Sequence, residues 1–400
     1  MTRSALPVLH QSPRDPAFVQ SPYGWYATAR AAGPLVWWQD YAMPAAVSHA
    51  AVQAILRDRR FGREIPAELA QPVPAHLADF MAVEAHSMLE AEPPRHTRLR
   101  SLVLRAFTSR AITAQAPGIE ALCHQLIDQF PAGDFDLLPA YCTQVPVITI
   151  ARLLGVPEDL APQLLDWSHA MVAVYQAGAT QADGIAASAA AAEFSAFLRA
   201  YVEDRRAHPA DDLITRLIAA EEDGERLSVD ELITTCILLL NAGHEATVHA
   251  LGNGVKMLLE TGSDPGCLTP DAIDQTVEEI LRIDPPLHIF TRYAYEEMTV
   301  FGHDFRRGDQ VALLLGAANH DPEVWADPDR FDPTRPIQTN AAFGGGLHFC
   351  VGAPLARAEM RVALPILFAR CPDLRLTAAP GYSDSYHFHG LSQLMVRTLR

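Results

Sequence analysis

The stretch FGGGLHFCVG, residues 343 to 352, sets four glycines, two aromatic rings and a histidine around one thiol, Cys350. A lone cysteine in a globular chain is ordinarily a buried, inert side chain. Such a side chain needs no glycine-rich surround, so the pattern marks Cys350 as a functional thiol. A second concentration of polar side chains lies in ELITTCILLLNAGHEATVHALGNGVKMLLE, residues 231 to 260. Its apolar spacing is helical throughout, which predicts a rod about 45 Å long. Asn241, Gly243, His244 and Glu245 fall at its centre, where a buried helix is expected to be apolar. Polar groups there are costly unless something engages them, so they point to a site. HEATVH, residues 244 to 249, resembles a zinc motif. The spacing argues against it: His244 and His249 are separated by about 140° around a helix, whereas a zinc pair uses the four-residue spacing that shares a face. His249 is left as an ordinary histidine on a second face.

The rest of the chain supplies elements to hold these residues. With 400 residues and 49% hydrophobic content the chain can bury a large core. PLVWW and MPAAVS, within the first sixty residues, read as strands of a small sheet, and MTVFGHDFRRGDQVALLLGAA, from residue 298, reads as strands joined by glycine turns. Helical patterns dominate from about Ala67 to Leu281. Within them the alanine-rich stretch from residue 177 to Pro209 reads as a mobile surface helix. The expected class is therefore mainly α with small β sheets. One domain over residues 1–400 is the simplest division: a β-rich minor lobe from about 1–65 and parts of 290–400, and an α-rich lobe from about 66–290 and 340–370.

The six cysteines have no C-x-x-C pair or regular spacing, which argues against a disulfide framework or zinc cluster and for a reducing compartment. The N-terminal segment lacks a signal-peptide core, and no run of about 18 apolar residues follows, so a soluble, cytoplasmic protein without membrane contact is expected. A net charge of −17 disfavours nucleic acid, and with Lys256 the sole lysine, positive charge is almost all arginine.

Four distant stretches, EPPRHTRLR (92 to 100), NAGHEAT (241 to 247), EEILRIDPP (278 to 286) and FGGGLHFCVG, together resemble the cytochrome P450 family. Phe343, Gly346, His348, Cys350 and Gly352 match the haem-thiolate loop F-x-x-G-x-H-x-C-x-G. Glu279 and Arg282 match the family's E-x-x-R, and Arg335, in ANHDPEVWADPDRFDPTR, falls on the arginine that joins them in a buried network. The resemblance implies the cytochrome P450 fold, with haem b (iron protoporphyrin IX) between the long central helix and the cysteine-loop helix. It makes Cys350 the axial metal ligand, whose thiolate pushes electron density toward the iron. The glycines let the loop turn tightly beneath the macrocycle. His96, Arg100, Arg292 and His348 match the partners of the haem propionates, and Arg98 and Arg105 are expected at the solvated surface or in a basic patch that docks an electron donor. Met88, Leu89, Phe107, Ala242, Gly243, Ala246, Leu287, Ala342, Phe343, Gly344, Gly352 and Ala356 match the remaining haem contacts.

The catalytic positions implied by the resemblance are Glu245, Ala246 and Thr247, and here the chain departs from the family. An acid is usually followed at once by a threonine whose hydroxyl helps deliver protons during oxygen activation, but this chain reads Glu-Ala-Thr. Ala246 takes the oxygen-facing position, and Thr247 is turned a further 100° or so on an undistorted helix. The implied activity is a monooxygenase reaction that puts one atom of O2 into a small organic substrate and releases the other as water. Without a G-x-G-x-x-G after a strand, electrons are expected from NAD(P)H through a ferredoxin and its reductase. A peroxide-driven haem-thiolate peroxygenase or peroxidase is the alternative, and a non-catalytic haem-binding protein the third reading. The substrate walls implied are Leu239, Leu240, Leu287, His288, Ile289, Phe290, His387, Phe388 and His389. For each of the three histidines, a place facing protein or water is an equal expectation.

Overall fold

In the computed structural model, which describes residues 6–398 apart from 177 and 223, the apolar run after Ser228 forms one unbroken helix, Val229–Thr261. At 33 residues it is roughly 50 Å long. A capping box starts it: the Ser228 hydroxyl accepts from the Glu231 N–H while the Glu231 carboxylate accepts from the Ser228 N–H. Gly262, at φ 57°, stops it in the left-handed conformation that glycine takes without penalty. Its two ends are buried in different places. Leu232 to Leu240 join an apolar cluster with Phe80, Met88, Phe107 and Phe194, whereas Ala250 to Leu258 join a second with Tyr141, Ala342 and Leu367. The polar centre falls between the two.

The cysteine loop bridges the same pair of clusters. Ala342 and Phe343 belong to the second, Val351 and Leu355 to the first. Immediately after Cys350 the chain enters the helix Ala353–Arg370, with Pro354 in its first turn, where a missing N–H costs nothing.

A six-stranded sheet forms the other layer. Its order is Val8–Leu9, Leu35–Trp38, Met43–Ala46, Gln310–Leu314, Ile289–Ala294 and Phe61–Gly62. The strands read from PLVWW and MPAAVS are thus its second and third. The expected strand run from residue 298 is also present as Met298–Val300, His303–Phe305 and Gln310–Leu314, with Gly302 and Gly308 at positive φ between them. Its last residues instead form the short helix Leu315–Asn319.

The alanine-rich helix, Gln181–Ala207, corrects an expectation. It is not a loose surface element: Phe194, Leu198 and Val202 are fully buried, and Phe194 stacks on Trp167 with centroids 4.8 Å apart. Alanine's small side chain permits that close packing. Among the described residues this is the one helix long and apolar enough to cross a membrane, by length and composition only.

Candidate active site

Of the six cysteines, all described, five are buried and Cys350 alone is exposed. Yet it is so enclosed that burial raises its thiol pKa, against the backbone N–H groups of Gly352 and Ala353 and the charges of Arg100 and Arg357. Sγ is therefore open to a small molecule but sits deep in the protein. Burial thus favours the neutral thiol, while the two N–H groups at the start of the following helix are placed to stabilise negative charge on the sulfur.

The loop's path depends on glycine at one position above all. Gly346 has φ +65°, and a Cβ there would lie 2.1 Å from the Leu56 carbonyl oxygen. The helix His49–Arg57, which carries Leu56, thus presses backbone to backbone on the loop. Gly344 is also left-handed, φ +68°, and packs against the Phe290 ring. The Cys350 N–H closes the turn onto the Phe343 carbonyl at 3.1 Å, and Arg357 lies over the Phe343 ring while pairing with Glu278.

Beside the loop stands a cluster of cationic and imidazole groups. Arg292 is 3% exposed, donates to the Thr291 carbonyl at 2.8 Å and has no carboxylate at ion-pair distance among the described residues. Burial, then Arg63, lowers its pKa to about 9. Arg100 likewise has no carboxylate at ion-pair distance among the described residues and donates to the Phe349 carbonyl at 2.7 Å. His96, its pKa lowered to about 4 by burial and by its neighbours His348 and Arg100, leaves Nδ1 buried and unpartnered. Its ring centroid is 4.4 Å from that of His348. Two guanidiniums without carboxylates and an unpartnered imidazole nitrogen call for an anionic ligand, and with one accessible thiol they fit an iron porphyrin and its two propionates. His348 differs in one respect: its Nε2 lies 2.9 Å from Glu92, which also accepts the Arg63 N–H at 2.7 Å. The sequence reading missed Glu92 and Arg63 as members of this cluster, although Glu92 heads the EPPRH stretch.

On the long helix, Ala242 is exposed and Ala246 half-buried, one turn apart on a single accessible stripe, with Gly243 beside them. Thr247 is buried and its hydroxyl donates back to the Gly243 carbonyl at 3.3 Å. Glu245 lies among imidazoles: His244 Nε2 is 3.4 Å from its carboxylate, His169 Nε2 3.6 Å and His249 Nε2 3.7 Å. Burial opposes its ionisation, but the histidines prevail and hold it well below the usual carboxylate range. His249, read from spacing as an ordinary second-face histidine, is thus part of this group and also packs against Gly390 and Phe388.

The remaining apolar positions divide. Met88, Phe107, Leu239 and Leu240 share the first cluster, Ala342 the second. Ala356 and Gly352 are half-buried at the end of the loop and in the start of its helix, and Leu89 is half-buried ahead of the helix Arg95–Ala106. Leu287 pairs across to Phe388, and Phe290 faces Gly344, Arg63 and Arg292. His387 is half-buried and its pKa falls to about 4, chiefly through burial.

Three expected substrate residues turn away. Ile289 points to the opposite face of its strand from Phe290 and packs with Tyr26 and Trp38. His288 and His389 are fully buried in a polar network: Tyr26 Oη is 2.7 Å from His288 Nδ1, and His389 Nδ1 is 2.9 Å from Asp284. Asp284 also accepts from Tyr23 at 3.0 Å and Tyr382 at 2.5 Å. A buried carboxylate must be surrounded by donors, and this one recruits a histidine the sequence leaves free. Arg98 needs correcting too: it pairs with the capping residue Glu231 and donates to the Arg226 carbonyl, joining the helix Arg95–Ala106 to the start of the long helix. Glu279, Arg282 and Arg335 do meet as expected, at 2.7 Å and 3.3 Å.

An enclosed, accessible cysteine on a glycine turn beside anion-seeking side chains, in a chain whose long helix has a gapped polar centre, defines a haem-thiolate protein of mainly α fold. The comparisons with known proteins agree. Residues 272–372 match the family described as Cytochrome P450. The chain is similar to the cytochrome P450 monooxygenase PikC of Streptomyces venezuelae, 35% identical over 100% of this chain and 96% of that one. It is also similar to the biotin biosynthesis cytochrome P450 of Bacillus subtilis, 32% identical over 95% and 96%. Among solved structures, P450BioI in complex with hexadec-9Z-enoic acid ligated acyl carrier protein superposes with a TM-score of 0.90 at 33% identity, covering 96% of this chain and 99% of that one. The Bacillus subtilis polyketide synthase cytochrome P450 PksS gives 0.88 at 32%, covering 98% and 100%. The chain belongs to the cytochrome P450 family. It is a haem-thiolate monooxygenase, binds haem b through a cysteine thiolate and acts on small organic substrates with O2.

Proposed function

We propose that Cys350 is the haem ligand, that Arg100, Arg292 and His96 hold the propionates, and that Ala242 and Ala246 line the oxygen side in a cytoplasmic enzyme fed from NAD(P)H by a ferredoxin and its reductase. The bound haem supplies the oxidising chemistry, with thiolate ligation favouring O–O cleavage. The residues do the rest. Arg100 and Arg292 bind carboxylates and lose the cost of lying unpaired. His96, uncharged above about pH 4, offers its Nδ1 to the same groups. Alanine at Ala242 and Ala246 leaves room, and Glu245, next in the chain to Ala246, is held ionised by its imidazoles. The protein puts no hydroxyl on the accessible stripe, since Thr247 donates into its own helix; the substrate or an ordered water has to provide one.

The observation that carries this reading is the single exposed thiol among six cysteines, on a loop beside Arg100 and Arg292, neither of which has a carboxylate at ion-pair distance among the described residues. The absence of a dinucleotide motif from the sequence supports a separate electron donor. The substrate walls in this reading are Leu239, Leu240, Leu287, Phe290, His387 and Phe388. The test is the reduced carbon monoxide spectrum: a red-shifted Soret band in the wild type, lost in Cys350→His. A band unchanged in that variant places the ligand elsewhere. Turnover that proceeds with peroxide but not with NAD(P)H, ferredoxin and reductase overturns the electron route.

A further inference from the structure

We propose that His169, His244 and Glu245 form a site for a zinc-class divalent metal ion, separate from the haem ligand. His244 carries the first observation. Its Nδ1 lies 2.7 Å from the Leu240 carbonyl, which can only accept, so Nδ1 bears a hydrogen and Nε2 is the nitrogen turned toward Glu245. Nε2 is buried, has no hydrogen-bond partner and sits 3.4 Å from Glu245 Oε2. A ring nitrogen and a carboxylate oxygen this close share a cation between them, either a proton or a metal ion. The carbonyl behind the ring also fixes its orientation, as it does behind metal-bound histidines.

The third donor comes from another element. His169, on the helix Ala161–Val172, brings its Nε2 to 3.6 Å from the same Oε2. The three donor atoms lie within 4.8 Å of one another. Zinc bonds of about 2.0–2.1 Å in a tetrahedron put ligand atoms roughly 3.3–3.4 Å apart, so two of these separations already approach the edges of a zinc polyhedron. Two imidazoles and a carboxylate suit zinc and leave the fourth position to water. His169 is 59% exposed at its side chain, which opens the site to solvent. His249 approaches the other oxygen, Oε1, at 3.7 Å and stands outside the set. The pair His244 and His249, rejected by spacing, is thus replaced by His244 and a histidine on a neighbouring helix. A metal here takes Oε2 of Glu245 and withdraws that oxygen from proton exchange.

The test uses haem-loaded protein stripped with a chelator and titrated with Zn2+ alone, followed by calorimetry and by competition with a chromogenic chelator. One equivalent should bind, and zinc-edge absorption should show two imidazole nitrogens and a carboxylate oxygen. Because imidazole and carboxylate ligands bind metal only when unprotonated, affinity should fall as pH is lowered. His169→Ala, a change at an exposed side chain, should weaken binding about tenfold or more with the haem spectrum unchanged, and His244→Gln should do the same. His208→Ala, at another exposed histidine, should have no effect. Absence of a one-equivalent site in the wild type, or a site that survives His169→Ala, overturns the proposal and leaves a proton as the bridging cation.

Discussion

Thr247 Oγ1 donates to the Gly243 carbonyl one turn back in its own helix, at 3.3 Å, while Ala246 occupies the accessible stripe beside it. The hydroxyl is spent on the backbone. Thr247→Ala should therefore leave oxygen activation nearly unchanged and cost less than about 1 kcal/mol in stability. Ala246→Thr should improve the coupling of NADH use to product several-fold on substrates without a hydroxyl nearby, because one recovered hydrogen bond is worth about 1 kcal/mol. Coupling and melting temperature are the measurements; a crippled Thr247→Ala with a silent Ala246→Thr would reverse the assignment.

Gly346 and Gly345 separate two kinds of glycine. A Cβ at Gly346 meets the Leu56 carbonyl oxygen at 2.1 Å in a left-handed conformation, whereas one at Gly345 meets nothing closer than 3.4 Å. Gly346→Ala should lose haem and at least about 1–3 kcal/mol of stability through forced backbone movement. Gly345→Ala should retain haem. Haem content per chain after gel filtration distinguishes them.

Arg292→Ala and Arg100→Ala should each weaken haem retention, the buried Arg292 more, since removing one partner of a buried charge pair costs about 3–5 kcal/mol. Arg98→Ala should behave differently. Its partner is Glu231, so the variant should melt earlier yet hold haem as tightly once folded. Transfer of haem to apomyoglobin, read beside thermal unfolding, separates the two effects.

His387 carries a pH prediction. Its folded pKa is lowered to about 4, chiefly by burial, while the unfolded chain titrates near 6.5. Between these values the unfolded state binds a proton that the folded state refuses, so stability falls as pH drops from about 6.5 to 4. His387→Gln should flatten part of that slope, the remainder belonging to His96 and His288, which are lowered likewise. An identical slope in the variant would show that His387 is not held neutral by burial.

The cysteine loop and the long helix are legible in the sequence because each rests on local chemistry: glycines that a turn demands, and a 3.6-residue period broken by polar residues. Arg98, His288 and His389 mislead for a shared reason. Their environments come from partners distant in the chain, Glu231, Tyr26 and Asp284, and no local pattern announces a long-range polar network. The alanine-rich helix misleads by composition, since the small side chains that suggest exposure also allow tight burial around Phe194. His169 is invisible beside HEATVH because its helix docks there only in the folded chain.

Arg282 gives the segment after Asn319 its shape. From His320 to Gly345 the chain has no helix or strand. Within it the Arg282 guanidinium donates to the carbonyls of Asn319, Pro328 and Arg330, while Glu279 accepts from the Asp332 N–H and pairs with Arg335. One ion pair on a helix thus clamps a long irregular stretch at four points and at the residue that leads into it, Asn319. That is the work of a cross-link: it limits the excursions of a loop as a disulfide would, without needing an oxidising compartment. Unlike a disulfide, the clamp exists only in the folded molecule, so it rigidifies the approach to Cys350 and restrains nothing in the unfolded chain.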